Sequence, residues 1–192
     1  MRPRLHAPPP GLKLGRMDPS SSPASRLLDI ARSITFATSA GSTDERLEWL
    51  APHLAGVRET LGMEVAFVSQ LVDERRVFEV VSSSREGDSP LREGRSDPLL
   101  DTYCMYVVQG RLPPVIRDIR TAAHEAVLLP ITQRLGIGCY ISAPVLLPDG
   151  RVFGTLCCFS RGARADLVEA DGAALRQVAD AIGAALLSRA ER

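Results

Sequence analysis

The segment LGIGCYISAPVLLPDGRVFGTLCCFS, residues 135–160, decides the fold. Two apolar runs rich in β-branched residues, 137–147 and 152–160, flank a Leu-Pro-Asp-Gly-Arg sequence in which proline and glycine favour a turn. The pattern predicts two antiparallel strands that form a central hairpin. Because successive residues of a strand point to opposite faces, we expect one of Cys157 and Cys158 to face a pocket and the other to face helices.

A second hairpin is predicted upstream of the first. The run 65–72 is apolar at both alternating sets of positions, which is typical of a strand buried on both faces. A polar turn follows, and residues 77–81 return as the antiparallel partner. We interpret Arg76, like its neighbour Arg75, as a solvated loop charge. A polar loop over 82–96 comes next.

Two helices are expected before this hairpin. Apolar residues at steps of three and four predict one helix from Ala24 and another that is capped by Ser42 and ends at Gly62. Pro52 either kinks this second helix or begins a new one. Residues 1–23 contain three consecutive prolines and a run of serines, a composition that predicts a disordered arm.

Three further helices are predicted after the second hairpin. Asp97, which proline follows, is typical of a helix N-cap, and the helix would place Leu100 and Cys104 on its inward face. A short strand over 114–117 and a helix that ends at Gly136 follow. Asp166 is expected to open the last helix. The order of elements predicts the α+β class, with a mostly antiparallel sheet and helices gathered on its sides.

The composition limits the possible functions. Lys plus Arg and Asp plus Glu each number 23, so the formal net charge is zero and neither nucleic acid nor anionic lipid is an expected partner. No apolar run reaches the roughly 18 residues of a membrane span, and no secretory signal is evident, which predicts a cytoplasmic protein. The four cysteines lack metal-ligand spacing, so no metal site is predicted. The 45% hydrophobic content suffices for one domain over residues 24–190.

Four segments resemble, in order, a GAF domain. They are LGMEVAFVSQL (61–71), SDPLLDTYCMYVVQGRLPPVIRD (96–118), the 135–160 segment and the closing helix. More narrowly, they look like the GAF sensor that precedes EAL phosphodiesterase domains in bacterial cyclic-di-GMP signalling proteins. The most specific parts are the Tyr103-Cys104 pair and the PDGRVFGTLCCFS hairpin.

The resemblance implies a fold similar to that of PAS domains, with dimerising helices on one face of the sheet and a ligand pocket on the other. It also implies a sensor rather than an enzyme. The sensor would bind a small molecule or respond to redox state, and it would signal through the helices of a homodimer. The expected partners are an unidentified ligand and either a cyclic-di-GMP output domain or another signalling protein. The resemblance names no cofactor.

The candidate ligand site lies between the sheet and the segment 82–136, a long polar connection of the kind that carries binding. Thiol and phenol groups without a full charge would favour a neutral or weakly polar ligand. A buried hydrophobic role for Cys104 and an N-cap role for Asp118 are the alternatives at those positions. The candidate ligand-binding residues are Tyr103, Cys104, Tyr106, Asp118, Cys139, Tyr140 and Cys157.

Two other functions stay open. GAF-like reductases of free methionine sulfoxide resemble this chain but carry their catalytic cysteine at a position that falls near Gln133, and Cys139 is the nearest thiol. A ligand-free dimerisation module is the other alternative. Covalent bilin binding is disfavoured, because Val127 and Leu128 stand where a Cys-His pair would be needed. A cyclic nucleotide stays open as the ligand, although the longer signature that such GAF domains need is not found.

Overall fold

The computed structural model describes residues 21–39, 47–85, 89–121 and 129–190. Most of the predicted N-terminal arm lies outside these residues. The predicted cap Ser42 and the bilin-related positions Val127 and Leu128 lie outside them too.

A six-stranded antiparallel sheet forms the centre of the domain, in the order β3-β2-β1-β6-β5-β4. Both predicted hairpins are confirmed, and they meet where β1 pairs with β6. The strands are β1 Val65–Val72, β2 Arg75–Ser83, β3 Ser96–Pro98, β4 Val115–Ile116, β5 Cys139–Leu146 and β6 Val152–Ser160.

Helices cover both faces of the sheet, which confirms the predicted α+β class. Single 3₁₀ turns at Leu47–Leu50, Leu99–Asp101 and Ile119–Thr121 link the larger elements. The helices are α1 Pro23–Ser39, α2 Ala51–Leu61, α3 Tyr103–Val108, α4 Pro130–Leu135 and α5 Glu169–Ala190.

Pro52 begins a helix rather than kinking one. It lies in the first turn of α2, directly after the Leu47–Leu50 turn, where the missing backbone N–H of proline costs no helical hydrogen bond. Gly62 ends α2 in the left-handed conformation at φ 61°, and its N–H donates to the carbonyl of Glu59.

The two faces of the sheet carry separate cores. The helix-side core lies under α1, α2 and α5 and includes Ile141, Leu156 and Cys158. The loop-side core lies under α3 and α4 and includes Tyr140 and Cys157. The predicted divergence of the two neighbouring cysteines is therefore confirmed, since alternate residues of β6 belong to different cores.

A bulge in β2 sets which of its side chains reach the loop side. Val68 pairs with Val80, whereas the next residue of β1, Ser69, pairs with Phe78, so Glu79 has no partner in the register. This extra residue reverses the alternation, as β-bulges do. Val80 consequently belongs to the helix-side core, while Phe78 and Arg76 face the loop side.

The helix predicted to begin at Asp97 is wrong. Residues Ser96–Pro98 form β3, and Asp97 pairs with Arg76 at the start of β2. Because α3 begins only at Tyr103, Leu100 lies in the preceding 3₁₀ turn and is 67% exposed instead of facing inward.

The predicted start of the last helix is also wrong. Asp166 lies before α5 and forms an ion pair with Arg164 at 2.7 Å. Asp171, in the first turn of α5, accepts a hydrogen bond from the backbone N–H of Val168 at 3.0 Å. Arg164 thus binds the Asp166 carboxylate, which the local sequence pattern predicted to cap the helix. None of the described helices is long and apolar enough to cross a membrane.

Candidate functional site

Four of the seven predicted site residues meet on the loop side of the sheet. The Cys104 and Cys157 sulfurs are 3.7 Å apart, and the Tyr140 hydroxyl donates a hydrogen bond to the Cys157 sulfur at 2.9 Å. The ring of Tyr103 packs on that of Tyr140, with centroids 4.7 Å apart. All four side chains are buried.

Local structure accounts for this convergence. Tyr103 and Cys104 are the first two residues of α3, so their side chains leave the start of a helix that packs on β5 and β6. Tyr140 and Cys157 come from neighbouring strands, and each points to the loop side by strand alternation. The site therefore depends on one helix lying across one hairpin.

Arg76 belongs to this site, although the sequence interpretation left it in solvent. Its side chain is 2% exposed, and its guanidinium lies against the rings of Phe67 and Phe78. One nitrogen, Nη1, donates to the Cys104 sulfur at 3.4 Å, and Nη2 donates to Asp97 Oδ2 at 2.5 Å. The expectation of a site without full charge is thus corrected.

Asp97 joins two arginines. Its Oδ2 binds the buried Arg76, and its Oδ1 binds Arg134 of α4 at 2.5 Å. The Arg134 side chain is 54% exposed, while that of Asp97 is 9% exposed. A buried guanidinium needs such a partner, because transfer of an unpaired charge out of water is costly. Arg76, Asp97, Cys104, Tyr140 and Cys157 are called the thiol–arginine cluster below.

The Cys104 sulfur lies among hydrogen-bond donors. Thr155 Oγ1 donates to it at 3.1 Å, and the Ser69 hydroxyl lies 3.0 Å from Thr155 Oγ1. Because the single Thr155 hydroxyl proton points to the sulfur, Ser69 must donate in its own contact with Thr155. Together with Arg76 and the Cys157 thiol, these groups give the sulfur the surroundings of an anion.

The cluster separates the pKa values of its two thiols. Burial alone would raise the pKa of Cys104, but the hydrogen bond from Cys157, the charge of Arg76 and the Thr155 hydroxyl together hold that pKa well below its usual 9.0. Burial and the neighbouring Cys104 sulfur raise the pKa of Cys157. Burial likewise raises the pKa of Tyr140, reinforced by both sulfurs. The cluster therefore favours the thiolate form of Cys104 and the neutral forms of Cys157 and Tyr140.

Two buried polar atoms on the loop side lack a hydrogen-bond partner among the described residues. They are Arg76 Nε and Ser142 Oγ. Ser142 pairs with Cys157 across the β5–β6 ladder, so both residues face the same side. Unsatisfied buried groups of this kind are places where a water or a ligand atom is accommodated.

The other three predicted residues lie away from the cluster. Tyr106 is half-buried, with the Arg111 guanidinium 4.6 Å from its ring centroid. Asp118 accepts a hydrogen bond from the backbone N–H of Arg120 at 3.0 Å, the contact of an N-cap on the Ile119–Thr121 turn. Cys139 faces the helix-side core beside Met63, and burial raises its pKa.

Surface cavities adjoin the sheet in the described part of the chain, and two of them differ in charge. One, of about 170 Å³, opens beside the cluster within the predicted 82–136 region and is lined by Phe78, Pro90, Leu91, Arg92, Arg95, Asp97, Arg134 and Leu135. A larger one, of about 490 Å³, lies at the bulged part of β2 and includes Glu48, Glu79 and Glu93. Burial and the Glu93 charge raise the pKa of Glu79 there. The smaller cavity is basic and the larger is acidic.

Solved structures share this architecture. A free methionine-R-sulfoxide reductase from Neisseria meningitidis in complex with its substrate superposes with a TM-score of 0.66 at 21% identity, covering 90% of this chain and 95% of that one. The phycocyanobilin-bound GAF domain of a cyanobacterial phytochrome gives 0.69 at 16% identity, covering 86% and 97%. The GAF domain of an Acinetobacter phosphoenolpyruvate-protein phosphotransferase gives 0.62 at 16% identity, covering 83% and 92%. At these identities the likeness concerns the fold alone.

Sequence comparison supplies the family. No curated protein matches the chain. The GAF domain family model matches residues 45–186, which include all the described strands and the whole thiol–arginine cluster. Since this match extends over most of the sequence and agrees with the antiparallel sheet and its two helical layers, the chain belongs to the GAF domain family.

Proposed function

We propose that this GAF domain is a regulatory sensor, not an enzyme, and that the thiol–arginine cluster with the adjoining basic cavity is its sensing site. The observation that carries the proposal is the ion-paired Arg76 guanidinium in hydrogen-bond contact with a thiol at the centre of a buried face. Burial of a charge has an energetic cost that packing alone does not require, and perturbed groups of this kind concentrate at functional sites.

The position of the cluster suits signalling through the sheet. Strands β5 and β6 contribute Tyr140 and Cys157 to the loop side, and their alternate residues contact the helix layer on the other side. Helices α1 and α5, the first and last described elements, pack on one another within that layer. A change in the cluster that shifts these strands would therefore bias the packing of both helices.

The charges suggest a ligand class. The cavity beside the cluster presents Arg92, Arg95 and Arg134, and guanidinium groups bind carboxylate or phosphate oxygens through paired hydrogen bonds. We therefore infer an anionic small molecule, in place of the neutral ligand that thiols and phenols alone favoured. Arg134 would contact the ligand directly. It also forms an ion pair with Asp97, which in turn binds Arg76, so the ligand is coupled to the buried guanidinium.

Methionine sulfoxide reduction is the alternative enzymatic function. Gln133 of α4 occupies the region where such a reductase would carry its catalytic cysteine, and Cys139 lies buried on the opposite face with a raised pKa. A protonated, buried thiol is a poor nucleophile. We expect no loss of free methionine sulfoxide when the full chain is incubated with it and dithiothreitol. Reductant-dependent turnover that disappears in Cys139→Ser would instead establish the enzyme.

The wider signalling context is also proposed. A homodimer built on α1, α2 and α5, a cytoplasmic location and a cyclic-di-GMP output partner follow from the resemblance of the sequence to GAF sensors that precede EAL domains. A reducing cytoplasm would keep the cysteines of the cluster as free thiols.

Native mass spectrometry of the chain purified from its own host tests the sensor and its dimer together. The expected spectrum is a dimer with an added small-molecule mass, and the Arg134→Ala variant should lose the added mass while remaining dimeric. Arg176→Ala, which removes an exposed arginine on α5, is the matched control and should retain the ligand. A bare monomer at tens of micromolar would contradict both parts of the proposal.

A further inference from the structure

The two sulfurs of the cluster are placed for reaction with each other. Cys104 Sγ and Cys157 Sγ are 3.7 Å apart, and a disulfide bond needs roughly 2.05 Å, so the sulfurs must approach by about 1.7 Å. They come from different elements, the first turn of α3 and the middle of β6. A displacement of α3 toward the sheet would shorten the distance between the two sulfurs.

The surroundings assign different roles to the two thiols. Arg76 and Thr155 both donate hydrogen bonds to the Cys104 sulfur, which stabilises its anion. Cys157 instead accepts from the Tyr140 hydroxyl and keeps its own proton. Thiolates are the nucleophilic form of cysteine, and a neutral thiol beside one serves as the resolving partner.

Two arginines lie near the Cys104 sulfur. Arg76 and Arg134 share the Asp97 carboxylate, so the three side chains together carry one excess positive charge. An anionic Cys104 would balance that excess next to the buried Arg76 guanidinium, while solvent screens the 54% exposed Arg134.

We propose that Cys104 and Cys157 are a peroxide-reactive dithiol, which gives the proposed sensor a redox input at the same site. The Cys104 thiolate attacks one oxygen of a hydroperoxide, the O–O bond breaks, and the leaving alkoxide or hydroxide takes up a proton. The resulting sulfenic acid then condenses with the Cys157 thiol to form the S–S bond and release water. In sum, two thiols and one hydroperoxide give one disulfide, one alcohol or water, and a second water. A dithiol reductant reverses the change by thiol–disulfide exchange.

The other two cysteines are internal controls. Cys139 and Cys158 lie in the helix-side core, and burial raises the pKa of both. Neither has a buried arginine as a hydrogen-bond partner among the described residues. They are expected to stay reduced under conditions that oxidise the Cys104–Cys157 pair.

Peptide mapping of the full chain tests the pairing. The reduced protein is treated with hydrogen peroxide, alkylated, digested with trypsin and analysed by mass spectrometry. Cleavage after arginine separates the thiols into peptides 96–111, 135–151 and 152–161. The expected product is a cross-link between 96–111 and 152–161, lighter by two hydrogen atoms than the two peptides together, which dithiothreitol removes.

Variants show which of the two cysteines in peptide 152–161, Cys157 or Cys158, is bonded to Cys104. Cys104→Ser and Cys157→Ser should each abolish the cross-link, whereas Cys158→Ser and Cys139→Ser should leave it. Thr155→Val, which keeps the shape of the side chain but removes a donor, should slow cross-linking about tenfold. Arg76→Lys, which keeps the charge, should slow it less than Arg76→Met.

Three results would overturn the proposal: four fully alkylated cysteines after peroxide treatment, a cross-link through Cys139 or Cys158, or an oxidation that dithiothreitol does not reverse. The proposed sensor function fails by a different measurement. A chain that carries a ligand in native mass spectra but never forms the cross-link keeps its sensor function and loses its redox input.

Discussion

Replacement of Asp97 by alanine tests the central feature of the site, the buried ion pair. The change removes the only carboxylate that contacts the Arg76 guanidinium in the described residues and leaves the Cys104 sulfur, at 3.4 Å, as its remaining hydrogen-bond acceptor. Because Arg76 is 1% exposed, the change leaves its guanidinium in a buried position without a carboxylate partner. Loss of one partner from a buried pair costs about 3–5 kcal/mol of the free energy of unfolding.

Arg134→Ala is the matched comparison, since it removes the other partner of the same carboxylate. The Arg134 side chain is 54% exposed, so its ion pair is screened by solvent and its loss should cost about 0.2–1 kcal/mol. Asp180→Ala, which removes an exposed carboxylate of α5 paired with Arg176, should change the free energy of unfolding by less than about 0.5 kcal/mol.

Urea unfolding followed by the fluorescence of Trp49, the single tryptophan, measures these differences through the transition midpoints. The double variant Arg76→Met with Asp97→Ala provides a second check, because removing both charges should recover part of the loss caused by Asp97→Ala alone. A loss below about 1 kcal/mol for Asp97→Ala would refute the reasoning. It would mean that the guanidinium reaches water or that the Cys104 thiolate alone compensates it.

Three further predictions concern other parts of the structure. Gly183→Ala in α5 should lower the midpoint of urea unfolding strongly, although alanine favours helices, because its Cβ would lie 1.9 Å from the Leu146 carbonyl oxygen. At the exposed neighbouring position, Ala184→Gly should lower the free energy of unfolding by only about 1 kcal/mol. Ser142→Ala should leave thermal stability unchanged or raise it, since the buried Ser142 hydroxyl has no hydrogen-bond partner among the described residues, and a large loss would indicate a bound water or ligand atom. The pKa of Cys104 is lowered in the folded chain, so the unfolded chain binds more protons between that pKa and 9.0. The stability of the wild type relative to Cys104→Ser should therefore rise with pH across this interval and level off above it.

The fold could be predicted where the pattern is local. The runs 65–72 and 152–160 are apolar at both alternating sets of positions, and this pattern predicted two strands correctly. Both faces of the sheet are buried, so side chains that point to either face contribute to the pattern. Pro52 left two outcomes, and the packing of the Leu47–Leu50 turn selected the start of a new helix. The N-cap at Asp97 failed because a long-range partner outweighs a local propensity: Arg76 engages its carboxylate through the β2–β3 pairing.

The candidate site could be predicted only in its thiols and phenols, without the ion pair of Arg76 and Asp97. Tyr103, Cys104, Tyr140 and Cys157 follow from helical and strand periodicity, and these four residues meet. Arg76 was missed because it directly follows the polar turn at 73–75, a position at which a charged side chain is expected to be solvated. The useful signal was its spacing of two residues from Phe78, which places both side chains on one face of β2.

Charge balance links the proposed ligand and the proposed redox input. When Cys104 is a thiolate, its charge and that of Asp97 together balance Arg76 and Arg134, and the adjoining cavity keeps only the positive charges of Arg92 and Arg95 for an anion. Disulfide formation removes the thiolate and leaves Arg76 and Arg134 with one carboxylate between them. That excess positive charge favours an anion in the basic cavity, since burial strengthens electrostatic attraction. Oxidation and anion binding should therefore favour each other. Each would also change the contacts of α3 and α4 with one face of the sheet, and α1 and α5 pack on the other face.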